Sequence, residues 1–329
     1  MKYYIGIDLG GTNIKAGVVN ENYEIIAKAT TKTLCPRLAK EICDDMAKVS
    51  IEACREAGID VNDVEWIGIG TPGIADNDKG TIPYSNNLDF HDVPVREYIQ
   101  THINKPVYVA NDANAAAYGE FVAGSAKGAR NAVCITLGTG VGAGIIVDGK
   151  ILTGSNHAGA ELGHIVIDMD GPQCTCGRKG CFEVFSSAIG LVRMTKEAAE
   201  ADSSSLLNEY YEKDGKYSAK HAFIAMRNGD KAGTEVVNKY CRYLAAGITN
   251  AINIFQPDIL CIGGGVCNEG DHLLLPVKEL VAKEVYTRMI PQNTEIVVAS
   301  LGNDAGIIGA AFLGDAEQNK TQLNRKEVN

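Results

Sequence analysis

The sequence predicts an α/β protein built from two similar domains that face each other. Three observations indicate this fold class. The length of 329 residues suits two domains of ordinary size. Short β-rich runs alternate with stretches of helical apolar spacing. One strand–turn–strand pattern occurs twice along the chain, and a repeated unit of this kind implies two related domains. A content of 45% hydrophobic and 22% charged residues is typical of a globular protein.

The repeated pattern is a strand, a turn rich in glycine and threonine, a second strand and a polar turn. Residues 5–12 align with residues 133–140, an offset of 128 positions (133 minus 5). Turns of this type expose backbone N–H groups that suit phosphate oxygens. Two such turns on opposite sides of one cleft would suit a nucleoside triphosphate. The alternative is a chance match between two β-hairpins, with glycines that serve only a tight turn at positive φ.

The first copy comprises predicted strands over 3–8 and 14–19. Asp8 stands at the end of the first strand, where a carboxylate can hold a magnesium ion through water. No Gly-Lys-Ser/Thr sequence follows the turn, so it is not a Walker A loop.

The segment between the two copies alternates helix and strand. The predicted elements are a helix over 37–57 ended by Gly58, a strand over 66–70, a long polar loop over 74–93, a strand over 106–110 and a helix over 113–123. Ligands in open α/β sheets bind at the carboxyl ends of strands, which is where the strand over 106–110 passes into its helix.

Asp112 lies at that strand–helix junction and is our candidate for a general base. A hydroxyl is a poor nucleophile, and it needs a proton acceptor within about 3 Å as it attacks phosphorus. The alternative role for Asp112 is a helix N-cap, which is common for Asp. Both roles hold together only if the side chain is not turned onto its own helix.

One His and three Cys fall within residues 161–183, with Gly and Pro between them and a carboxylate at each end, Glu161 and Glu183. Imidazole and thiolates are ligands that tetrahedral zinc prefers, and a closed shell of this composition is structural. Such a loop would hold Glu161, His164 and Glu183 around a polar ligand. The alternatives are a reduced Cys-rich turn or a disulfide, because Cys-X-Cys is not the usual ligand spacing.

The C-terminal half continues the alternation. Helices are predicted over 187–201, 221–228, 231–255 (with Asp230 as N-cap), 274–287 and 305–313, and strands over 259–262 and 296–299. Residues 202–220 are polar and show no clear period. Glycines 263–265 indicate a close backbone approach to a ligand or a plain strand-to-helix turn. From Asp315 the charges crowd, which predicts a frayed tail over 315–329.

Charge and cysteine usage restrict the partners and the compartment. The net charge of -10 argues against a nucleic-acid or anionic-membrane partner. No apolar run is long enough to cross a membrane, and no signal peptide is recognised, so we expect a reducing cytoplasm. Seven cysteines outside the Cys-rich loop are then expected as buried thiols, namely Cys35, Cys43, Cys54, Cys134, Cys241, Cys261 and Cys267.

Taken in order, these motifs resemble the ROK family (repressor, open reading frame, kinase) of sugar kinases, within the actin/hexokinase superfamily. The resemblance covers residues 3–314. Its motifs are Asp-Leu-Gly-Gly-Thr at 8–12, Thr-Pro-Gly at 71–73, Asn-Asp-Ala-Asn at 111–114, Leu-Gly-Thr-Gly-Val-Gly at 137–142, Glu-Leu-Gly-His at 161–164, Cys-Thr-Cys-Gly-Arg-Lys-Gly-Cys-Phe-Glu at 174–183 and Ile-Gly-Gly-Gly-Val at 262–266. Each glycine turn is weak alone, whereas this order together with the Cys cluster is very specific.

The resemblance implies two ribonuclease H-like lobes that close on ATP and a hexose. The expected lobes are a smaller one of residues 1–115 plus 302–314 and a larger one of residues 116–301. The implied activity is ATP-dependent phosphorylation of a hexose, of glucokinase type, yielding glucose 6-phosphate. Kinases for N-acylmannosamine, N-acetylglucosamine, mannose, fructose or allose are the alternatives within this class. A homo-oligomer, dimer or tetramer, is expected by analogy with the family.

The resemblance also assigns roles to positions that match the family's motifs. Asp112 is the implied catalytic base and also contacts the hexose. The other implied hexose contacts are Gly73, Asn87, Asn111, Glu161, His164 and Glu183. The implied contacts to ATP and Mg2+ are Asp8, Gly10, Gly11, Thr12, Thr139, Gly140, Gly264 and Gly265. The implied ligands of a structural Zn2+ are His164, Cys174, Cys176 and Cys181. The family often has Pro where this chain has Asn86, which leaves open whether Asn86 or Asn87 faces the sugar.

Two functions of other classes, a repressor and a non-catalytic scaffold, are less expected than a sugar kinase. Some family members are sugar-sensing repressors with a winged-helix segment before the first glycine turn. Here that turn begins at Asp8 and the charge is acidic, so a repressor is not expected. A catalytically dead sugar-binding scaffold is disfavoured because Asp112 and both glycine turns are intact.

Overall fold

The computed structural model describes residues 1–317, and the chain divides into two compact units. The first unit comprises Met1–Ala132, Gly144–Ala160 and the described residues from Ala299 onward. The second comprises Val133–Ala143 and Glu161–Val298. The lobe boundaries implied by the resemblance stay a prediction. Of the predicted tail, residues 318–329 lie outside the described residues.

Strands and helices alternate along the described chain. The strands are β1 (Tyr3–Leu9), β2 (Asn13–Asn20), β3 (Ile25–Lys32), β4 (Val64–Thr71), β5 (Ile74–Asp76), β6 (Thr81–Ser85), β7 (Phe90–Val93), β8 (Val107–Asn111), β9 (Ala132–Leu137), β10 (Val141–Val147), β11 (Lys150–Ile151), β12 (Ile259–Gly263) and β13 (Glu295–Val298). The helices are α1 (Ala39–Ala57), α2 (Val95–Gln100), α3 (Asp112–Val122), α4 (Phe182–Ser186), α5 (Ala188–Ala201), α6 (Leu206–Asp214), α7 (Ala219–Arg227), α8 (Lys231–Phe255), α9 (Asp271–Glu284) and α10 (Ala305–Ala311).

The first sheet has the strand order β3-β2-β1-β4-β8. β1 pairs antiparallel with β2 and parallel with β4, and β4 pairs parallel with β8. Ile5, Ile7 and Leu9 of β1 are fully buried, because alternate residues of a strand share one face and this face packs into the core of the first unit. Helix α1 contributes Ile42 and Met46, one helical turn apart, to the same core.

The second sheet repeats this order as β11-β10-β9-β12-β13, with each strand standing where its counterpart stands in the first sheet. The repeat read from the sequence is therefore a repeat of structure, and a chance match of two hairpins is excluded. The alternative, in which glycine serves only a tight turn at positive φ, was wrong. Positive φ occurs at none of the four glycines of these turns, Gly10, Gly11, Gly138 and Gly140. The reason for glycine at these positions must therefore be other than backbone conformation.

Residues 74–93, predicted as a long polar loop, form a three-stranded sheet in the order β5-β6-β7. Its strands pair antiparallel, with Ile82 opposite Val93. Ile82, Phe90 and Val93 are buried in the core of the first unit. The prediction failed because the strands are short and their apolar residues are separated by turn-forming Asn and Asp.

Helix α10 lies directly on the first sheet because glycines remove the side chains between them. A Cβ on Gly6 of β1 would overlap the carbonyl oxygen of Ile307, and one on Gly68 of β4 would overlap that of Ala310. Gly309 approaches the backbone of α3 in the same way. Close packing at this density leaves no room for even one methyl group. Helix α10 is therefore wedged between α3 and the strands β1 and β4.

Several local predictions agree closely with the structure. Helix α1 ends at Gly58, which has a φ of 69°. Helix α8 begins after Asp230, whose side chain accepts the N–H of Gly233 at 2.6 Å. The unassigned residues 202–220 contain α6, which Ser205 caps.

The ten cysteines all have free thiols, so no disulfide forms among them. Cys35 and Cys267 are partly exposed, which corrects the expectation that both are buried. Within residues 1–317, none of the helices combines the length and apolar character needed to cross a lipid bilayer.

Candidate active site

Asp112 is the first residue of α3 and follows the end of β8. The N-cap of this helix is Asn111, whose Oδ1 accepts the N–H groups of Ala113 at 2.9 Å and Asn114 at 3.3 Å. The alternative role of Asp112 as N-cap is therefore wrong. Its Oδ1 accepts the Ala113 N–H at 2.9 Å, and the side chain is exposed. The capping by Asn111 leaves the Asp112 carboxylate available to a ligand.

The pKa of the Asp112 carboxyl is raised above its ordinary value. Desolvation by the surrounding protein is the largest cause, and the negative charge of Asp8 adds to it. The N–H of Ala113 acts in the opposite direction. The side chain is nonetheless open to solvent, which screens part of this effect. A raised pKa makes a carboxylate a stronger proton acceptor, which suits a general base.

Asp8 lies at the carboxyl end of β1 and pairs with Lys15, the Oδ2–Nζ distance being 3.1 Å. Gly306 of α10 faces it, and a Cβ there would stand 3.5 Å from the Asp8 carboxyl carbon. A carboxylate oxygen at a strand end is a ligand that magnesium accepts, directly or through water. The donor chemistry of Asp8 therefore fits the predicted role.

The first glycine turn, residues 10–12, is held from one side and open on the other. Gly10 donates its N–H to the carbonyl of Asn13 at 2.9 Å and accepts the Thr33 hydroxyl at 2.6 Å. Gly11 and Thr12 are exposed, and within residues 1–317 their N–H groups have no acceptor. Adjacent unpaired N–H groups are what an anion-binding turn requires.

Gly73 and Asn111, both predicted hexose contacts, are joined by a hydrogen bond from Asn111 Nδ2 to the Gly73 carbonyl at 3.0 Å. Gly73 has a φ of 93°, and a Cβ there would overlap the Tyr84 carbonyl oxygen. Asn86 accepts the Tyr84 hydroxyl at 3.4 Å, whereas Asn87 is exposed with no side-chain hydrogen bond in the described part of the chain. This difference favours Asn87 as the residue available to a sugar.

In the second unit, Glu183 closes the second glycine turn, residues 138–140. Its Oε2 accepts the N–H of Val141 at 2.9 Å, and its Oε1 lies 3.8 Å from the sulfur of Cys174. A Cβ on Gly140 would overlap the Glu183 carboxylate, which explains the glycine without positive φ. Thr139 is exposed at the tip of the turn.

Two further segments approach the strands on either side of the second glycine turn. Glu161 is exposed and precedes a short 3-10 turn over Leu162–His164, in which a Cβ on Gly163 would overlap the Val141 carbonyl oxygen. Gly264 follows β12 with a φ of 96°, and a Cβ there would overlap the backbone oxygen of Leu137. Gly265 faces open space. Gly264 therefore serves backbone packing, while Gly265 is open to a ligand.

The predicted metal ligands converge. One ligand atom from each of His164, Cys174, Cys176 and Cys181 lies within 4.8 Å of the other three. His164 Nδ1 is 3.7 Å from Cys174 Sγ, and Cys176 Sγ is 3.6 Å from Cys181 Sγ. Two sulfur ligands each about 2.3 Å from a tetrahedral zinc ion stand about 3.8 Å apart, so the spacing and the donor set both fit zinc.

The thiols of this cluster differ in acidity. The N–H of Arg178 and neighbouring thiols lower the pKa of Cys176, whereas burial raises the pKa of Cys181 to about 12. A thiol with so high a pKa becomes a thiolate only beside a cation, which a bound metal supplies. The cluster is therefore complete as a zinc site in donor type, number and spacing.

Comparison with known proteins identifies the family. The chain matches the family model described as the ROK family over residues 4–317. The chain belongs to the ROK family. A glucokinase of Thermotoga maritima is 36% identical to this ROK protein over 310 residues, which cover 94% of this chain and 96% of that protein. The xylose repressor of Bacillus subtilis is 27% identical over 318 residues, covering 94% and 76%.

A solved structure supports the same assignment. A ROK family glucokinase from Streptomyces griseus, in complex with glucose and AMPPNP, is 35% identical to this chain with a TM-score of 0.78. The similarity covers 94% of this ROK protein and 98% of that chain. The predicted family and the predicted α/β fold of actin/hexokinase type are confirmed.

The predicted site residues of this ROK protein fall into one group in each unit. The first unit carries Asp8, Gly10, Gly11, Thr12, Gly73, Asn87, Asn111 and Asp112. The second carries Thr139, Gly140, Glu161, His164, Cys174, Cys176, Cys181, Glu183, Gly264 and Gly265. Within the first group Asn111 is bonded to Gly73, and within the second Glu183 links the glycine turn to the Cys cluster.

Sequence reasoning missed Glu120, a buried carboxylate near the end of α3. It accepts the backbone N–H groups of Ser125 at 2.9 Å, Ser300 at 3.1 Å and Leu301 at 2.8 Å. These bonds join α3, which starts with Asp112, to the segment that enters α10. The available signal was a single carboxylate between apolar positions of an Ala-rich helix. A charge buried in such a helix requires hydrogen-bond donors from elsewhere in the protein.

Proposed function

We propose that this ROK protein transfers the γ-phosphoryl group of ATP to a hexose, with glucose as the acceptor and glucose 6-phosphate as the product. The observation that carries the proposal is the division of roles at the start of α3. Asn111 caps the helix, so Asp112 is left exposed with a raised pKa, in the same unit as Asp8 and the open glycine turn.

The comparisons with known proteins show the enzyme class, whereas the substrate is part of the proposal. The prediction of an ATP-dependent sugar kinase is confirmed by the glucokinase relatives and by the Streptomyces griseus complex. The choice of glucose among hexoses is the proposal, because the xylose repressor belongs to the same set of relatives.

In the proposed reaction Asp112 accepts the proton of the hexose hydroxyl as its oxygen attacks the γ-phosphorus in line. General-base assistance of this kind typically contributes roughly 10²–10⁴-fold to the rate. The unpaired N–H groups of Gly11 and Thr12 stabilise phosphate oxygens that gain negative charge. Asp8 would hold Mg2+, which neutralises phosphate charge when bound.

We propose hexose contacts for six residues, namely Gly73, Asn87, Asn111, Glu161, His164 and Glu183. His164 supports a double role through its two ring nitrogens. Nδ1 faces Cys174 at 3.7 Å, which leaves Nε2 as a donor for a sugar hydroxyl if Nδ1 binds zinc. The zinc ion itself would be structural, because its four protein ligands leave no open position.

A hexose panel tests the substrate. The full chain with ATP and Mg2+ is assayed for ADP release with glucose, mannose, fructose, allose, N-acetylglucosamine and N-acetylmannosamine. We expect the highest kcat/KM with glucose. A higher kcat/KM with another sugar of the panel would overturn glucose as the preferred substrate, but would still agree with sugar kinase activity.

The same panel distinguishes the second candidate function, a sugar-sensing regulator, which the similarity to the xylose repressor favours. A regulator would bind one of these hexoses in calorimetry without releasing ADP above the rate measured in the absence of sugar. That result would overturn the proposed phosphorylation of a hexose by this chain.

We also propose a cytoplasmic location and a homodimer or homotetramer. The location is supported by ten free thiols, since a reducing compartment preserves them. The oligomer is supported only by analogy with the family, and light scattering on the purified protein measures it.

A further inference from the structure

A second cluster of ligand-type side chains lies outside the site described above. Asp76, Asp78 and His157 place one ligand atom each within 4.8 Å of one another. Asp76 ends β5, and His157 lies in the segment that follows β11. All three belong to the first unit, so the cluster joins two chain segments that are about eighty positions apart.

Asp76 is the anchor of this cluster. The residue is only 4% exposed. Its Oδ1 lies 3.5 Å from Nε2 of His157 and accepts the backbone N–H of Lys79 at 3.0 Å. A buried carboxylate needs a compensating cation, because its desolvation is otherwise costly.

The cation that now pairs with Asp76 belongs to an exposed side chain. Lys79 Nζ stands 3.1 Å from Asp76 Oδ2, and the Lys79 side chain is 77% exposed. An exposed ammonium group held at one contact is easily replaced, because surface ion pairs contribute little. A divalent cation at the same carboxylate would carry twice the charge and would also use Asp78 and His157.

We propose that Asp76, Asp78 and His157 form a second metal site, which binds a divalent cation of the Mn2+ type. Carboxylate oxygens suit Mn2+, and one imidazole raises the preference for a transition metal over Mg2+ or Ca2+. The site contains no thiol, which separates it chemically from the cluster of His164 and three cysteines. Water fills the positions that three protein ligands leave open.

The position of this site suggests what the cation does. Asp76 stands three residues after Gly73, and His157 stands four residues before Glu161. A cation held by both segments restrains the chain that leads from β11 to Glu161. Binding should therefore slow amide hydrogen exchange over residues 153–160.

The test is a titration of the zinc-loaded full chain with Mn2+, without nucleotide, in which electron paramagnetic resonance measures free Mn2+. Mn2+ is chosen because it does not compete well for thiolates. We expect His157→Gln to weaken binding at this site at least about tenfold, the loss typical of a disturbed metal shell. Lys79→Met should bind as tightly as the wild type or more tightly.

His91→Gln is the matched control. His91 also lies near an aspartate, with Nε2 3.7 Å from Asp89 Oδ1, but both side chains are exposed and the pair lacks a second carboxylate. This variant should bind Mn2+ as the wild type does. Any Mn2+ bound at Asp8 is unaffected by His157→Gln and is subtracted by the comparison.

Equal Mn2+ binding by the wild type and His157→Gln would overturn the proposal. So would Mn2+ that leaves hydrogen exchange over 153–160 unchanged in the wild type. Asp76, Lys79 and His157 would then form an ion-pair network only. The proposal does not depend on sugar kinase activity, because the Mn2+ titration and the ADP assay succeed or fail separately.

Discussion

Glu120 joins the end of α3 to residues 300–301, and its replacement tests how much this buried carboxylate stabilises the first unit. The side chain is 3% exposed. Three backbone N–H groups donate to it, those of Ser125, Ser300 and Leu301, together with the hydroxyls of both serines. The three N–H groups have fixed positions, whereas the hydroxyls can rotate to other acceptors.

The magnitude follows from the donors that each substitution leaves unpaired. Glu120→Ala removes the acceptor of all three N–H groups, and a hydrogen bond to a charged group contributes about 1.5–3 kcal/mol, so the loss is about 4.5–9 kcal/mol. In Glu120→Gln the amide oxygen can keep the position of Oε2, which accepts both serine N–H groups. The new NH2 then faces the N–H of Leu301, so one donor is lost, at about 1–3 kcal/mol.

Urea unfolding followed by tryptophan fluorescence measures this effect. Trp66 is the only tryptophan, it is buried, and its Nε1 donates to the carbonyl of Ala311 in α10 at 2.7 Å. Ser300→Ala is the control, because it removes one 3.3 Å bond and leaves four donors on Glu120, for less than about 1 kcal/mol. If Glu120→Gln unfolds at the wild-type urea concentration with an unchanged m-value, the reasoning is refuted.

Four other predictions concern the site. Asp112→Asn should lower kcat at least about 10²-fold while calorimetry still detects hexose binding, and near-normal turnover would remove Asp112 from its role. Because the folded pKa of Asp112 is raised, its ionisation costs stability as pH rises above about 3.9, so Asp112→Asn should melt higher than the wild type at neutral pH and equally at lower pH. Asp8→Asn removes a charge that raises the Asp112 pKa. The acidic limb of the pH–kcat/KM profile should therefore move to lower pH, whatever the residual rate. A limb at the wild-type pH would contradict this coupling between Asp8 and Asp112. Cys174→Ser should lower the zinc content from about one ion per chain and should lower the melting temperature. The control Cys35→Ser should change neither quantity. If elemental analysis finds no zinc in the wild type, the zinc proposal is wrong.

The sequence predicted well those features that depend on neighbours along the chain. The strand–turn–strand repeat, the end of α1 at Gly58 and the start of α8 after Asp230 all rest on residues within a few positions. The four predicted zinc ligands also lie together, because they are close in sequence, and zinc binding by them stays a prediction. Local hydrogen bonding and φ preferences determine such features without help from the rest of the fold.

Features that depend on distant contacts were decided only by the tertiary structure. The two candidate roles of Asp112 were helix N-cap and general base. Only the structure decided against the N-cap, because Asn111 at the end of β8 caps the helix. Residues 74–93 form a sheet because their apolar side chains reach a core built from other elements. Glu120 meets its donors 180 positions away, at Ser300.

By itself, the sequence determined which chemical groups this ROK protein carries and in what order, because a turn, a cap and a ligand spacing are local. The tertiary structure decided which of these groups are bonded within the fold and which are exposed. Glu120 is bonded within the protein, whereas the Asp112 side chain is exposed with one oxygen on the Ala113 N–H, and the N–H groups of Gly11 and Thr12 have no acceptor within residues 1–317. That division depends on burial and pairing, which arise only when segments far apart in sequence are packed together.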